Sequence, residues 1–336
     1  MTDSPAHKHF IKKYLNWNSV ETRLKEYENI NAEFKLKNCS SSIPYYCHYL
    51  EWWLGTVKDE NWVRFLDDLL GCGMQLNGWK SSNKKSLLSS CDFGDFFGLL
   101  WELQVAKSFS DLGAEVTWMQ EGPDLTVGYE SSYFYVECYT YRKSFAIEFF
   151  INALLQKINP NIKTRHNIFL KFSLPQNSKI EDFLNEIFKP FLDERYLQGK
   201  IREADNEYPV VLYAKDNFYI YLKGNGRYVP GRIPNASGPP ENYLEVVISE
   251  AIGNKQRQLK NSHPNLLAVN YLLSLDYQLS LDYQSAEKTI NTNNLGNADG
   301  VLLSVCGITE PQFDNDKTII TTQDKNHLIR KLIPQK

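Results

Sequence analysis

Three carboxylates and one lysine have the residue types and spacing to do chemistry together: Glu102, Asp124, Glu137 and Lys255. Asp124 follows Gly122-Pro123, a turn signal that fixes the chain just before a strand. Glu137 closes an alternating stretch in which Tyr133, Tyr135, Glu137 and Tyr139 share one face, and Phe134, Val136 and Cys138 the other. The second face is the more apolar, so Glu137 is expected to point away from the densest core. Carboxylates on adjacent strands can bind a hard divalent cation such as Mg²⁺ or Mn²⁺, which takes oxygen ligands and keeps several waters. Such an ion stabilises a phosphoryl transition state and lowers the pKa of a water nucleophile. Glu102 would complete the shell or position the water.

The elements that must position these groups can be read from the periodicity. Phe97 to Lys143 reads as a helix, a turn, a strand carrying Pro123-Asp124, and a second strand carrying Glu137. On the helix, Leu99, Val105, Ala106 and Phe109 stand at i−3, i+3, i+4 and i+7 from Glu102, which places that carboxylate on the apolar face. A carboxylate aimed at the core is costly unless it is paired, hydrogen-bonded or bound to metal. Lys255 repeats the pattern on a helix expected from about Tyr243 to Lys260, where it shares a face with Ile248, Ala251, Ile252 and Leu259.

The run 97–143 resembles the PD-(D/E)xK nuclease superfamily, the restriction-endonuclease-like fold. There a helix with an acidic residue precedes Pro-Asp on one strand and (Asp/Glu)-x-Lys on the next. Pro123-Asp124 looks like the first motif, Glu137 like the acidic member of the second, and Glu102 like the helix carboxylate. Tyr139 stands where the family has its lysine. In this superfamily that lysine can migrate to a later helix that precedes the next core strand, here Asn265–Asn270. Lys255 therefore looks like the migrated residue, ahead of Lys143. The resemblance implies an α/β fold with a mixed central sheet flanked by helices. The domain would span 91–336 behind a helical N-terminal region at 1–90. It further implies metal-dependent hydrolysis of phosphodiester bonds in nucleic acid, DNA being favoured, in a setting such as restriction, repair or defence against mobile DNA. Asp124, Glu137 and Glu102 would be the metal ligands and Lys255 would orient or activate water. The alternative is a catalytically silent nucleic-acid-binding or assembly module on the same fold. An interaction scaffold that meets a protein partner or a second copy through its aromatic N-terminal region is a third reading.

The remainder reads as support. Segments within 1–90 carry apolar residues at helical spacing, among them Trp62, Phe65, Leu66, Leu69 and Leu70, with Gly71 and Gly73 as the expected end of that helix. Ser81 to Ser90 is polar and reads as a loop and a domain boundary. The cluster Tyr45, Tyr46, Tyr49, Trp52 and Trp53 is either core or a platform for bases. A helix over about 145–158 and a strand from Asn167 to Leu174 come next. A helix interrupted at Pro190 then leads to two Tyr-rich strands that suit a hairpin around Lys215-Asp216. The glycines at 224–231 do not form a dinucleotide fingerprint, and no bound organic cofactor is expected. A tandem hexad, Leu273 to Gln284, is too short for a solenoid. Apolar strands near 300 and 318 close the chain.

With 336 residues, 42% hydrophobic and 23% charged, the chain has the composition of a globular protein that can bury a sizeable core. The net charge of −3 gives no global attraction to nucleic acid, so any such surface must be a local patch; Arg142, Lys143, Lys163, Arg165 and Lys171 are candidates. The six cysteines lack metal-ligand pairing and read as reduced thiols of a cytoplasmic protein. No apolar run has the length of a signal peptide core or a membrane span. His166 and His263 have no triad partner, and no Gly-x-Ser-x-Gly elbow occurs.

Overall fold

Strand by strand, the apolar alternation seen from Glu115 onward builds a sheet whose centre is parallel and whose edges are antiparallel. The computed structural model describes residues 22–34, 50, 54, 60–89, 93–141, 167–171, 193–205, 210–215, 218–223, 243–260, 264–270, 288, 290, 295–304 and 319–322. The elements in chain order begin with α1 (Glu28–Glu33), α2 (Glu60–Gln75), a 3-10 turn (Trp79–Ser81), α3 (Lys84–Leu88) and α4 (Phe93–Asp111). Next come β1 (Glu115–Trp118), β2 (Leu125–Tyr129), β3 (Ser132–Thr140), β4 (Asn167–Lys171), α5 (Glu194–Asp205), β5 (Val210–Lys215) and β6 (Phe218–Lys223). The last are α6 (Tyr243–Lys255), β7 (Asn265–Asn270), β8 (Gly300–Ser304) and β9 (Ile319–Thr322).

The chain divides into two compact units, each assembled from separated stretches: Met1–Thr22, Leu36–Thr56 and Ala146–Gly238 in one, and Arg23–Lys35, Val57–Phe145 and Pro239–Lys336 in the other. The first contains the three-stranded antiparallel sheet β4-β6-β5, in which β5 and β6 form the expected hairpin. The second contains the six-stranded sheet β1-β2-β3-β7-β8-β9. The architecture is α/β with a mixed sheet.

In that larger unit, β1, β2 and β3 form an antiparallel meander; β3, β7 and β8 are parallel, and β9 is antiparallel to β8. Every residue of β7 and β8 is buried, as expected for parallel strands covered on both faces. On one face Phe134 of β3 meets Phe109 of α4 edge-on, with ring centroids 5.6 Å apart. Trp101 of α4 donates its indole N–H to the carbonyl of Ala268 at 3.0 Å. Helix α4 is buried almost all round from Leu99 to Ala106, and it ends where Gly113 takes φ +81° and the N–H of Ala114 returns to the carbonyl of Phe109. On the other face, Val247, Ile248, Ala251 and Ile252 of α6 join Tyr139, Tyr141, Leu267 and Val269 in one apolar cluster.

Three expectations need correction. Helix α2 runs through Gly71 and Gly73 to Gln75. These glycines permit close approach: a Cβ on Gly73 would meet Leu103 of α4 at 2.3 Å. The stretch Ser81–Ser90 is largely structured, with α3 inside it. Glu137 is fully buried, because β3 has strands on both edges and helices on both faces. The helix expected over 145–158, the aromatic cluster Tyr45 to Trp53, the tandem hexad, Arg142, Lys143, Lys163, Arg165, His166 and His263 lie outside the described residues. Among the described residues no helix is long and apolar enough to cross a membrane.

Candidate functional site

The hairpin register sets the first pair. Leu125 of β2 stands opposite Val136 of β3, so Asp124, one residue before β2, lies level with Glu137. The backbone N–H of Cys138 donates to Asp124 Oδ2 at 2.9 Å, which holds that carboxylate against β3. The carbonyl of Asp124 closes the β1–β2 loop by accepting from the N–H of Met119 at 3.1 Å.

Glu102 reaches the same place from α4, and the bridge between them is a residue that sequence reasoning passed over. The ammonium of Lys84 lies 2.6 Å from Glu102 Oε2 and 2.9 Å from Asp124 Oδ1. Only 4% of the Lys84 side chain is exposed. Its approach is built by the segment before it. The N–H of Trp118 donates to the carbonyl of Asn77 at 2.8 Å, and the Trp118 indole donates to the carbonyl of Gly73 at 2.9 Å. Between those points Gly78, at φ +82°, sits so close to the Trp118 carbonyl that a Cβ there would stand 2.2 Å from the oxygen. The 3-10 turn then places Trp79 edge-on to Trp118, and α3 brings Lys84 over the Trp118 ring, 5.4 Å from its centroid. Lys85 pairs with Glu33 of α1 at 3.1 Å on the other side of the short helix.

Lys255 closes the site from α6, its ammonium 2.5 Å from Glu137 Oε1. Among the described residues, the buried Oε2 of Glu137 has no hydrogen-bond partner. Tyr139 donates its hydroxyl to Glu250 Oε1 at 2.5 Å and accepts from Asn254 at 3.2 Å. Tyr139 therefore anchors the helix that carries Lys255.

Burial, reinforced by the neighbouring Asp124 charge, pushes Glu137 up to about 8 and Glu102 up to about 7, with Lys255 and Lys84 respectively opposing the rise. Asp124 goes the other way: burial would raise it, but Lys84, Lys255 and the Cys138 N–H together hold it below its ordinary value. Burial alone would lower both lysines; their carboxylate partners overcome it and hold Lys84 and Lys255 above the ordinary lysine value. Burial pushes the Cys138 thiol well up, which keeps it inert beside the carboxylates.

Glu102, Asp124, Glu137 and Lys255 are thus brought together, in two ion-paired halves that share Asp124's field. No protein-family model matches the chain, and neither a curated protein nor a solved structure does.

The donor chemistry suits a hard divalent cation. Three carboxylates, Glu102 and Glu137 buried and Asp124 half-buried, face two ammonium groups, and among the described residues Glu137 Oε2 has no hydrogen-bond partner to fill its lone pairs. Among the described residues, however, no three acidic, histidine or cysteine side chains are already grouped as ligands, since Lys84 stands between Glu102 and Asp124.

Proposed function

We propose that this chain is a metal-dependent nuclease with a restriction-endonuclease-like core, hydrolysing phosphodiester bonds of nucleic acid, with DNA as the favoured substrate. The observation that carries this reading is the convergence of Glu102, Asp124, Glu137 and Lys255 from a helix, the turn that leads into β2, the antiparallel strand β3 and a later helix. The element order adds support: the helix with Glu102 precedes Asp124 at the start of β2 and Glu137 on β3, and the helix with Lys255 precedes the next core strand β7, parallel to β3.

Asp124 and Glu137 would hold Mg²⁺ or Mn²⁺, with Glu102 completing the shell or orienting water. When bound, such an ion supplies positive charge to the phosphoryl transition state and a more acidic water. Lys255 keeps its proton, so it serves to orient water or steady a phosphate oxygen rather than to abstract a proton. The apolar cluster of α6 keeps bulk water from its Glu137 partner.

The test is cleavage of mixed DNA and RNA substrates with Mg²⁺ or Mn²⁺, comparing the wild type with Asp124→Ala and Glu137→Ala. Cleavage by the wild type and its loss in both folded variants is the expected result. Cleavage that survives both substitutions overturns the assignment. One observation favours a silent nucleic-acid-binding module instead: every charged group of the site already has an internal ion-pair partner. Nucleic-acid binding without cleavage under either metal would select that reading.

A further inference from the structure

We propose that Lys84 is the resident cation of the Glu102–Asp124 pair, and that it competes with a divalent ion for these carboxylates. The inference rests on the carboxylates being a cation site, as the nuclease reading requires, and it concerns how that site is regulated.

The geometry is specific about what is at stake. Asp124 has two carboxylate oxygens, and the Cys138 backbone N–H holds Oδ2. The other, Oδ1, is on Lys84, as is Oε2 of Glu102. A carboxylate oxygen has a second lone pair. A divalent ion placed on it would nevertheless stand within a few ångström of a buried ammonium, where like charges are poorly screened. The two cations therefore exclude one another at Asp124.

Lys84 is well held without being locked by backbone. Its ammonium is shared between two carboxylates and lies over the face of Trp118, while Ser82 and Trp79 shape the turn before it. Its helix spans only Lys84–Leu88, and the Lys85–Glu33 pair at the far side is largely exposed on the lysine. The ammonium can therefore be displaced by moving a side chain, with no strand of the sheet disturbed. Glu137, with an open buried oxygen, gives an arriving ion its first ligand.

The experiment uses the full chain after treatment with EDTA. Mn²⁺ is titrated against the wild type, Lys84→Met and Lys84→Arg, with bound metal read by electron paramagnetic resonance. Lys84→Met should bind Mn²⁺ at least tenfold more tightly than the wild type, and Lys84→Arg should not. In parallel, acetylation of wild-type lysines is mapped by mass spectrometry, which needs no variant to fold. Lys84 should be protected without metal and become reactive at saturating Mn²⁺. Equal or weaker affinity in a folded Lys84→Met, or Lys84 labelling unchanged by metal, overturns the proposal. If the wild type binds Mn²⁺ and cleaves while Lys84→Met binds no more tightly, the nuclease reading stands and the role of Lys84 falls. If Lys84→Met gains affinity and no form cleaves, the converse holds.

Discussion

Lys255 and Glu137 are 118 positions apart in sequence, yet the ammonium of the first lies 2.5 Å from the carboxylate of the second. Glu137 is completely buried, while Lys255 keeps about a quarter of its side chain, 23%, in contact with solvent. Removing one partner of such a pair strands the other charge in a low-dielectric setting. At pH 9, above the Glu137 value of about 8, Lys255→Ala should cost about 3 kcal/mol of stability, the low end of the range for a broken buried pair, because its ammonium is partly wet. In a Glu137→Gln background the same substitution should cost less than about 1 kcal/mol. Urea midpoints of the four forms measure the coupling, and additive losses would show that the pair is not a unit.

The two raised carboxyls set a pH dependence of definite sign. Glu102 is pushed to about 7 and Glu137 to about 8, from an ordinary 4.5, by burial first and Asp124's charge second. Between those values the folded chain holds protons that the unfolded chain has released, so their contribution is full at low pH and is lost as pH rises through 7 to 8. Asp124, shifted down, works oppositely: its contribution is present above its ordinary 3.8 and is lost at more acid pH. In EDTA, stability from urea midpoints should fall from pH 5 to about pH 8 and level off above it, on the order of 1 kcal/mol per pH unit for each group between its ordinary and folded values. Glu137→Gln should flatten that slope. A midpoint rising across the same window would contradict these environments.

Tyr139 ties α6 to β3 through Glu250 and Asn254. Tyr139→Phe keeps the ring in its apolar cluster and removes the hydroxyl, so the loss should be about 1–2 kcal/mol. The informative readout is amide hydrogen exchange. Protection should drop in α6 ahead of β7, because only the helix loses an anchor.

Two left-handed glycines separate conformation from contact. Gly113 and Gly78 have nearly the same φ, +81° and +82°, but only at Gly78 would a Cβ strike the backbone, the Trp118 carbonyl. Gly113→Ala should cost about 1 kcal/mol, the strain of a left-handed residue alone. Gly78→Ala should cost more than about 3 kcal/mol, since overpacking adds to that strain. Thermal melts of both variants check this; equal losses would mean that the segment leading to Lys84 yields easily.

What the sequence made legible follows from the range over which each signal acts. Glu102 and Lys255 were readable because a helix repeats its face every turn, and their neighbours Leu99, Val105, Ile248 and Ala251 are all buried as the spacing requires. The two strands β2 and β3 were legible from alternation and from the turn at Gly122-Pro123, whereas β1, on the other side of that turn, was not read as a separate strand. Lys84 was not. It opens a five-residue helix, too short for any period to show, in a polar stretch that reads as loop. Its partners lie 18 and 40 positions away, so nothing local marks this lysine among its neighbours. The one available signal was a count of charge: three inward carboxylates call for more than the single cation assigned to them. The burial of Glu137 was also missed, because strand alternation reports relative apolarity of two faces and is silent when both are covered.

The unit that holds the site is assembled from Arg23–Lys35, Val57–Phe145 and Pro239–Lys336. A growing chain therefore delivers Glu102, Asp124 and Glu137 long before Lys255 and the β7 strand that lies against β3. At 5–20 residues per second, synthesis of the intervening stretch takes on the order of 10 s. During that interval β3 has one open edge and Glu137 lacks its ammonium. Any polypeptide that leaves the ribosome in this interval carries all three carboxylates and Lys84 for two of them, but no ammonium for Glu137, so that half of the centre comes into being only once α6 has been made.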